Sequence, residues 1–168
     1  QGTYQVLSLD FSRASDGISP LAESFDEYCS MKMNVFARKY EPYYYPGFAL
    51  EMKEQGTFTA KLNLLNSLAQ EYDARLYLII DEYDNFTNTI LSTFGKDAYR
   101  KATHGEGFFR YFFNVLKFLT SGNSMALERM FITGVSPITL DDVTSGFNIG
   151  TNITTSPLFN SLVGFTET

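Results

Sequence analysis

One short apolar run constrains the fold of this chain more than any other segment. Residues 76–80 read L-Y-L-I-I, and the acidic pair Asp81-Glu82 follows directly. Five continuous apolar residues between polar flanks are typical of a central strand in a parallel sheet, because such a strand is covered on both faces. The run therefore predicts a parallel strand near residues 76–81 that presents two carboxylates at its carboxyl end.

Two further segments have the character of strands, and they alternate with amphipathic helices. Strands are predicted near residues 4–10 and 129–135, where apolar residues form short runs. Apolar residues at helical spacing predict helices over residues 20–40, 58–72 and 108–119.

The connections between these elements follow from their turn residues. Residues 41–47 contain two prolines and a glycine and are predicted to form a loop. A short helix is predicted over residues 85–94, and a polar loop over residues 95–107. Thr57 is the expected cap of the helix that follows it, and Ser136-Pro137 is a second expected helix start.

This order of elements predicts an α/β fold. Alternating strands and helices are typical of a mainly parallel sheet with helices on both faces, which gives three layers. The 168 residues are enough for one domain with a sizeable core.

Composition and charge limit the class of protein and of partner. The chain is 44% hydrophobic, which is typical of a globular domain, and its net charge is -6. An acidic surface repels phosphate backbones, so we expect no direct nucleic-acid binding. No apolar run is long enough to span a membrane, and the single cysteine, Cys29, favours a reducing compartment, here the cytoplasm.

The carboxyl end of the central strand is the candidate for chemistry. Ligands of open parallel sheets bind beyond the carboxyl ends of the strands, where Asp81 and Glu82 would lie. One carboxylate there can hold the magnesium ion of Mg-ATP, and its neighbour can orient and deprotonate the attacking water. The other interpretation is that the strand ends at the surface and that the next helix begins with acidic residues.

A third interpretation is a magnesium-dependent nuclease site made of Asp81, Glu82 and Asp84. Such sites normally need a nearby lysine. The closest one in sequence, Lys96, follows a glycine in a predicted loop.

A polar turn follows the predicted strand near residues 129–135. Its residue Thr133 would lie near Asp81 if the two strands were neighbours, and a polar residue there could contact a γ-phosphate or the attacking water. The alternative is that Ser136-Pro137 caps a helix and that Gly134 eases the turn.

Other residues of chemical interest are expected to be structural. His104 is predicted to lie in a loop, and Cys29 in the core. The tyrosines at 43–45 stand between two prolines and are expected to pack locally, although they could bind a base or a peptide. Asp141-Asp142 suit the first turn of a helix.

Four strings of residues together resemble successive blocks of one protein family. In chain order they are 7–12 (LSLDFS), 77–86 (YLIIDEYDNF), 131–137 (FITGVSP) and 140–149 (LDDVTSGFNI). The chain resembles the AAA-ATPase-like family over nearly its whole length. Members of that family are similar to P-loop ATPases of the additional-strand type, and many continue into a nuclease-like domain of the PD-(D/E)XK type.

The resemblance implies roles for particular residues. Asp81 matches the metal-binding acid of the Walker B motif, Glu82 matches the catalytic acid, and Thr133 matches the sensor residue on the next core strand. For Asp10 a purely structural role stays open. The implied cofactors are ATP and Mg²⁺, and the implied partners are a nucleotide and a C-terminal nuclease-like domain. The resemblance also predicts a gap between the strand that precedes Asp81 and the strand that precedes Thr133, where the P-loop strand would lie.

The chain departs from the family at its beginning. It contains no G-x-x-x-x-G-K-[ST] loop, because its only Gly-Lys pair, Gly95-Lys96, has no glycine five places before it and is followed by Asp97. The first core strand is missing too. We therefore expect residues 1–168 to be a partial P-loop-NTPase-like domain, the Walker B and sensor part, which is inactive alone and belongs to a parent that binds and hydrolyses ATP. The alternative is a non-catalytic protein-interaction module with a degenerate NTPase fold.

Overall fold

A computed structural model of the chain describes residues 3–14, 20–121, 126–135, 150–154 and 156–159. Three strands and five α-helices lie in these ranges. The strands are β1 (Gln5–Asp10), β2 (Leu76–Asp81) and β3 (Leu127–Ile132). The helices are α1 (Leu21–Tyr40), α2 (Phe48–Glu54), α3 (Phe58–Glu71), α4 (Tyr83–Thr103) and α5 (Phe108–Leu119).

The three strands form one parallel sheet in the order β1-β2-β3. The register of β1 on β2 places Asp10 opposite Asp81. β2 pairs directly with β3, and the backbone N–H of Thr133 continues this ladder by donating to the carbonyl of Ile80 at 2.8 Å. The predicted parallel α/β sheet is confirmed. The predicted gap between β2 and β3 is wrong, because the two strands are hydrogen-bonded neighbours.

One face of the sheet is packed by helices, and the other is only partly covered. Phe36 of α1, Leu65 of α3 and Leu119 of α5 line the same small cavity as Leu7 and Leu78 of the sheet. The alternate residues on the opposite face are half-buried or exposed, and they are Val6, Ser8, Tyr77 and Ile79. The second helical layer of the predicted three does not appear within the described ranges.

An aromatic cluster centred on Phe25 of α1 holds the helices to the carboxyl end of the sheet. The centroid of its ring lies 5.1–5.7 Å from those of five other phenylalanines, and three of these pairs are edge to face. The five are Phe11, Phe86, Phe108, Phe109 and Phe112. Pairs in this geometry contribute beyond the area that they bury. Because Phe11 directly follows β1, the cluster fixes this end of the sheet against α1, α4 and α5.

The ends of α2 and α3 are satisfied by side chains. Thr57 caps α3 as predicted, since its hydroxyl accepts the backbone N–H of Ala60 at 3.2 Å. Lys61 is buried, and its ammonium group donates to the carbonyls of Met52 at 2.6 Å and of Lys53 at 3.1 Å. These carbonyls are the unpaired, partly negative end of α2, so the buried charge has partners.

Two connections differ from the sequence-based prediction. The predicted short helix does end before Gly95, whose φ of 80° is not helical, but residues 96–103, which were expected to be part of a loop, form a second helical segment of α4 that ends at Thr103. The helix resumes because Ala102 and Thr103 are buried, and tertiary packing outweighs the local cost of a glycine. The short helix α2 was not predicted at all.

We predict that Phe25→Ala lowers the free energy of unfolding by about 3–5 kcal/mol, because the substitution leaves a cavity in the aromatic cluster. Phe118→Ala is the matched control, since 74% of that side chain area is exposed, and we expect a change within about 0.5 kcal/mol. Urea unfolding of both variants measures the difference. If the alanine variant does not fold, Phe25→Leu should still cost measurably more than the control. Equal losses at the two positions would contradict the role of the cluster.

Candidate functional site

The candidate site lies at the carboxyl edge of the sheet. Asp10 and Asp81 are opposite each other at the ends of β1 and β2, and Thr133 directly follows β3. The hydroxyl of Thr133 donates a hydrogen bond to Oδ1 of Asp81. Two of the residues that the sequence singled out, on segments 52 positions apart, are therefore in direct contact.

Asp81 presents an exposed carboxylate with one oxygen engaged by the protein. Its Oδ1 accepts the hydroxyl of Thr133 and the backbone N–H of Glu82, the latter at 3.0 Å. Within the described ranges Oδ2 accepts no hydrogen bond. A fixed carboxylate with one free oxygen fits a magnesium ion, because Mg²⁺ keeps several of its waters and needs only one or two protein carboxylates.

Glu82 adopts a left-handed backbone conformation between β2 and α4. Its φ is 54° and its ψ is 40°, which costs a residue other than glycine about 1–2 kcal/mol. The residue is half-buried, and its carboxylate accepts no hydrogen bond within the described part of the chain. Strain of this kind is concentrated at functional sites. Glu82 is thus the residue of this turn for which a functional reason is needed.

The backbone around Thr133 is joined to the turn between β2 and α4. The N–H of Thr133 donates to the carbonyl of Ile80 at 2.8 Å, and its carbonyl accepts the N–H of Tyr83 at 3.2 Å. These two bonds flank the side-chain bond to Asp81. The position of Thr133 relative to Asp81 therefore follows from three hydrogen bonds instead of one.

Asp84, the third acid of the nuclease interpretation, is buried rather than available. Only 1% of its area is exposed, and both carboxylate oxygens accept the backbone N–H of Val135 at 3.1 Å. Among the described residues, no group of three or more histidine, cysteine, aspartate or glutamate side chains is arranged to hold a metal ion. A contact of Asp84 with the turn after β3 was not predicted, because nothing in the local sequence links positions 51 apart.

Asp10 is engaged by its own neighbours. Its Oδ1 accepts the hydroxyl of Ser12 at 2.6 Å and the backbone N–H of Ser12 at 3.0 Å, and Arg13 lies 3.7 Å from Oδ2. The hydrogen bond from the Ser12 hydroxyl holds the pKa of Asp10 below its usual value, and Arg13 adds to this effect. Asp10 caps the turn after β1, as expected of a structural residue.

The remaining candidates have local structural partners. Cys29 is buried, which raises the pKa of its thiol. Tyr44 stacks on Phe48 with ring centroids 4.2 Å apart and donates to Gln5 at 2.7 Å, so local packing is found here as predicted. His104 is exposed at the end of α4. The predicted roles of Ser136-Pro137 and Asp141-Asp142 concern residues outside the described ranges.

Comparison with known proteins gives one family match. A family model described as "Predicted AAA-ATPase" (AAA-ATPase-like) matches residues 1–144, which include the whole candidate site. No curated protein and no solved structure matches the chain. In the described part of the chain, none of the helices combines the length and the apolar character that crossing a bilayer requires.

We predict that Glu82→Gly is more stable than Glu82→Ala by about 1 kcal/mol, because glycine adopts the left-handed conformation without strain. Glu27 is the matched control, since it is exposed inside α1, where glycine should be less stable than alanine by about 1 kcal/mol. Urea unfolding of the four variants measures both differences. An alanine at position 82 that matches or exceeds glycine would show that the turn is not strained.

We also predict that Ser12→Ala raises the pKa of Asp10 towards its usual value, because it removes the hydrogen bond that favours the ionised form. A carboxylate whose folded pKa is lowered stabilises the fold above its unfolded pKa, and this contribution is lost as the pH falls through the folded pKa. The variant should therefore lose stability at neutral pH relative to strongly acidic pH. Carboxyl carbon NMR titration gives the pKa directly, and Ser8→Ala, an exposed serine on β1, should leave it unchanged.

Proposed function

The chain belongs to the AAA-ATPase-like family, and on that premise we propose that the intact protein binds Mg-ATP and hydrolyses it at the carboxyl edge of this sheet. In this proposal residues 1–168 supply the metal-and-water side of the site, and an upstream segment supplies the phosphate-binding side. The chain alone is then inactive.

The observation that carries the proposal is the hydrogen bond between Thr133 and Asp81. Two polar residues from neighbouring parallel strands meet at the edge where ligands of such sheets bind. The contact joins the exposed Asp81 to the turn after β3, and within the described ranges Oδ2 of Asp81 accepts no hydrogen bond.

Asp81 is the proposed metal-binding residue. Bound magnesium would neutralise charge on the phosphates and orient them. The protein contributes a carboxylate that Thr133 and the N–H of Glu82 hold in one orientation, so little side-chain entropy remains to be lost when an ion binds. Thr133 also offers its hydroxyl oxygen as an acceptor beside the ion.

Glu82 is the proposed general base. It follows the metal-binding acid directly, and its carboxylate accepts no hydrogen bond within the described ranges, so it is available to take a proton from the attacking water. The left-handed conformation supports this role, because it is maintained despite its strain at this one position of the turn.

An upstream strand is proposed to pair with the free edge of β3. β2 is flanked by β1 and β3, so a further strand cannot enter between β2 and β3. Within the described ranges β3 has only one neighbour, and Phe131 and Ile132 of β3 are half-buried. A strand added there would end beside Thr133, which puts a phosphate-binding loop next to the proposed metal site. This arrangement is the P-loop-NTPase-like fold without a central gap.

A second candidate function, a non-catalytic interaction module, is favoured by the partly covered sheet face. Tyr77, Ile79 and Phe131 are half-buried on that face and would suit an apolar partner surface. The upstream sequence separates the two functions. A complete G-x-x-x-x-G-K-[ST] loop supports hydrolysis, and a degenerate loop supports the interaction module.

We predict that the chain alone binds Mg-ATP weakly and releases no phosphate, whereas the protein extended to include the upstream segment does both. Most of the phosphate-binding energy in such sites comes from a glycine-rich loop, a helix N-terminus and a lysine, and this sequence has no such loop. In the extended protein Glu82→Gln should keep nucleotide binding and lower hydrolysis by about 10²–10⁴-fold. Calorimetric titration and phosphate release measure the two properties.

Glu106→Gln is the control for this experiment, because Glu106 is exposed in the turn between α4 and α5. It should change neither binding nor hydrolysis. Micromolar binding of Mg-ATP to the chain alone would show that the site is elsewhere. Equal hydrolysis by the extended wild type and its Glu82→Gln variant would show that Glu82 is not the general base.

A further inference from the structure

Asp84 differs from the other two acids of the D-E-Y-D string in being buried. A carboxylate with 1% of its area exposed is costly unless hydrogen bonds compensate for the lost water. Both of its oxygens lie 3.1 Å from the backbone nitrogen of Val135, so this N–H is shared between them. A charge-assisted hydrogen bond to backbone is stronger than a neutral one. Asp84 therefore holds the turn that follows β3 through a hydrogen bond from the N–H of Val135.

Because residue 134 is glycine, the turn after β3 comes close enough to α4 for Asp84 to accept the N–H of Val135. A Cβ atom at position 134 would collide with the ring of Tyr83 and would lie 2.6 Å from Oδ1 of Asp84. No side chain fits in that space unless the turn or the side chains of Tyr83 and Asp84 move. The glycine is thus required by close approach, and the residues it approaches are the first two of α4.

The turn that Asp84 holds begins with Thr133, whose hydroxyl donates to Asp81, the proposed metal-binding residue. Asp84 holds Val135, two residues after Thr133, while the N–H of Tyr83 bonds the carbonyl of Thr133 at 3.2 Å. Residues 81–84 and residues 133–135 therefore form one hydrogen-bonded unit. Movement of Val135 away from α4 would draw Thr133 away from Asp81.

We propose that Asp84 is a positioning residue, which acts through the backbone of residues 133–135 to hold the Thr133 hydroxyl on Asp81. This inference rests on the proposed function for its consequence in catalysis, and on the contacts above for the coupling itself. Asp84 does not touch metal or water. It keeps the orientation of the exposed acid fixed, as outer partners of metal ligands do.

Asp84→Asn tests the coupling in the 168-residue chain without any nucleotide. The amide keeps the size of the side chain but leaves one acceptor oxygen instead of two and removes the charge. In NMR spectra we expect the amide proton of Val135 to move upfield and the Thr133 side chain to change from one rotamer to an average of several. Asp97→Asn, at an exposed position of the same helix, should change neither signal. Unchanged Val135 and Thr133 signals in Asp84→Asn would overturn the proposal.

Gly134→Ala tests the same coupling from the other side and serves if Asp84→Asn does not fold. It keeps the charge of Asp84 but forces the turn and the carboxylate apart, so the same loss of a single Thr133 rotamer is expected. Gly56→Ala is its control, because a Cβ there meets nothing within 4 Å. A turn variant that folds and keeps the wild-type rotamer of Thr133 would contradict the proposal.

Kinetics of the extended protein separate positioning from simple stabilisation. Asp84→Asn should lower kcat by about 10–100-fold with little change in the KM for Mg-ATP. If Asp84 acts through Thr133, then Asp84→Asn should cause little further loss in a Thr133→Val background. Losses that multiply would overturn the proposal. An extended wild type that hydrolyses no ATP would refute the proposed function alone, because the NMR comparison still decides the coupling.

Discussion

The direct pairing of β2 with β3 brings the two halves of the candidate site together. The register of these parallel strands brings Thr133 beside the end of β2, and the bond from its N–H to Ile80 extends the ladder by one residue past β3. The contacts of residues 133–135 with residues 81–84 follow from that extension. Without it, residues 133–135 would not be held beside the end of β2, where Thr133 contacts Asp81 and Val135 contacts Asp84.

Three acids within four residues have three different environments. Asp81 is exposed and partly engaged, Glu82 sits in a strained backbone conformation, and Asp84 is buried with both oxygens on a backbone N–H. The difference arises because the strand ends at the first acid, the chain reverses at the second, and the helix turns the third towards the core. In the proposed function, this short string would supply a ligand for a metal and a base for water, and its third acid supports the neighbouring turn.

Much of the fold could be predicted because its signals are local. The apolar run at 76–80 predicted β2, and helical spacing predicted α1, α3 and α5 with ends within one residue of those observed. The errors came from non-local packing. Gly95 was interpreted as the end of a helix that in fact resumes after a kink, because residues beyond it are buried. The gap expected between the strands came from family resemblance, and direct backbone pairing excludes it.

The candidate site was also predictable only where its signals are local in the sequence. Asp81, Glu82 and Thr133 were placed at strand ends because polar residues that follow apolar runs are visible in the sequence, and the structure brings Asp81 and Thr133 into contact. Their roles stay predictions. The burial of Asp84 and the close approach of Gly134 were not predictable, since both depend on contacts across about 50 positions. Asp81 and Asp84 are the same residue type. The sequence alone does not show that Asp81 is exposed and that Asp84 is buried against the turn after β3.

We propose that Asp81 and Thr133 form the metal side of a nucleotide site, and a crystal structure of the extended protein would decide this. The protein would be crystallised with Mg²⁺ and a non-hydrolysable ATP analogue. We expect the ion at the carboxyl edge of β2, bound to Asp81 directly or through one water, with the phosphates on the side of β3. A nucleotide bound elsewhere, or an ion with no contact to Asp81 at that edge, would contradict it.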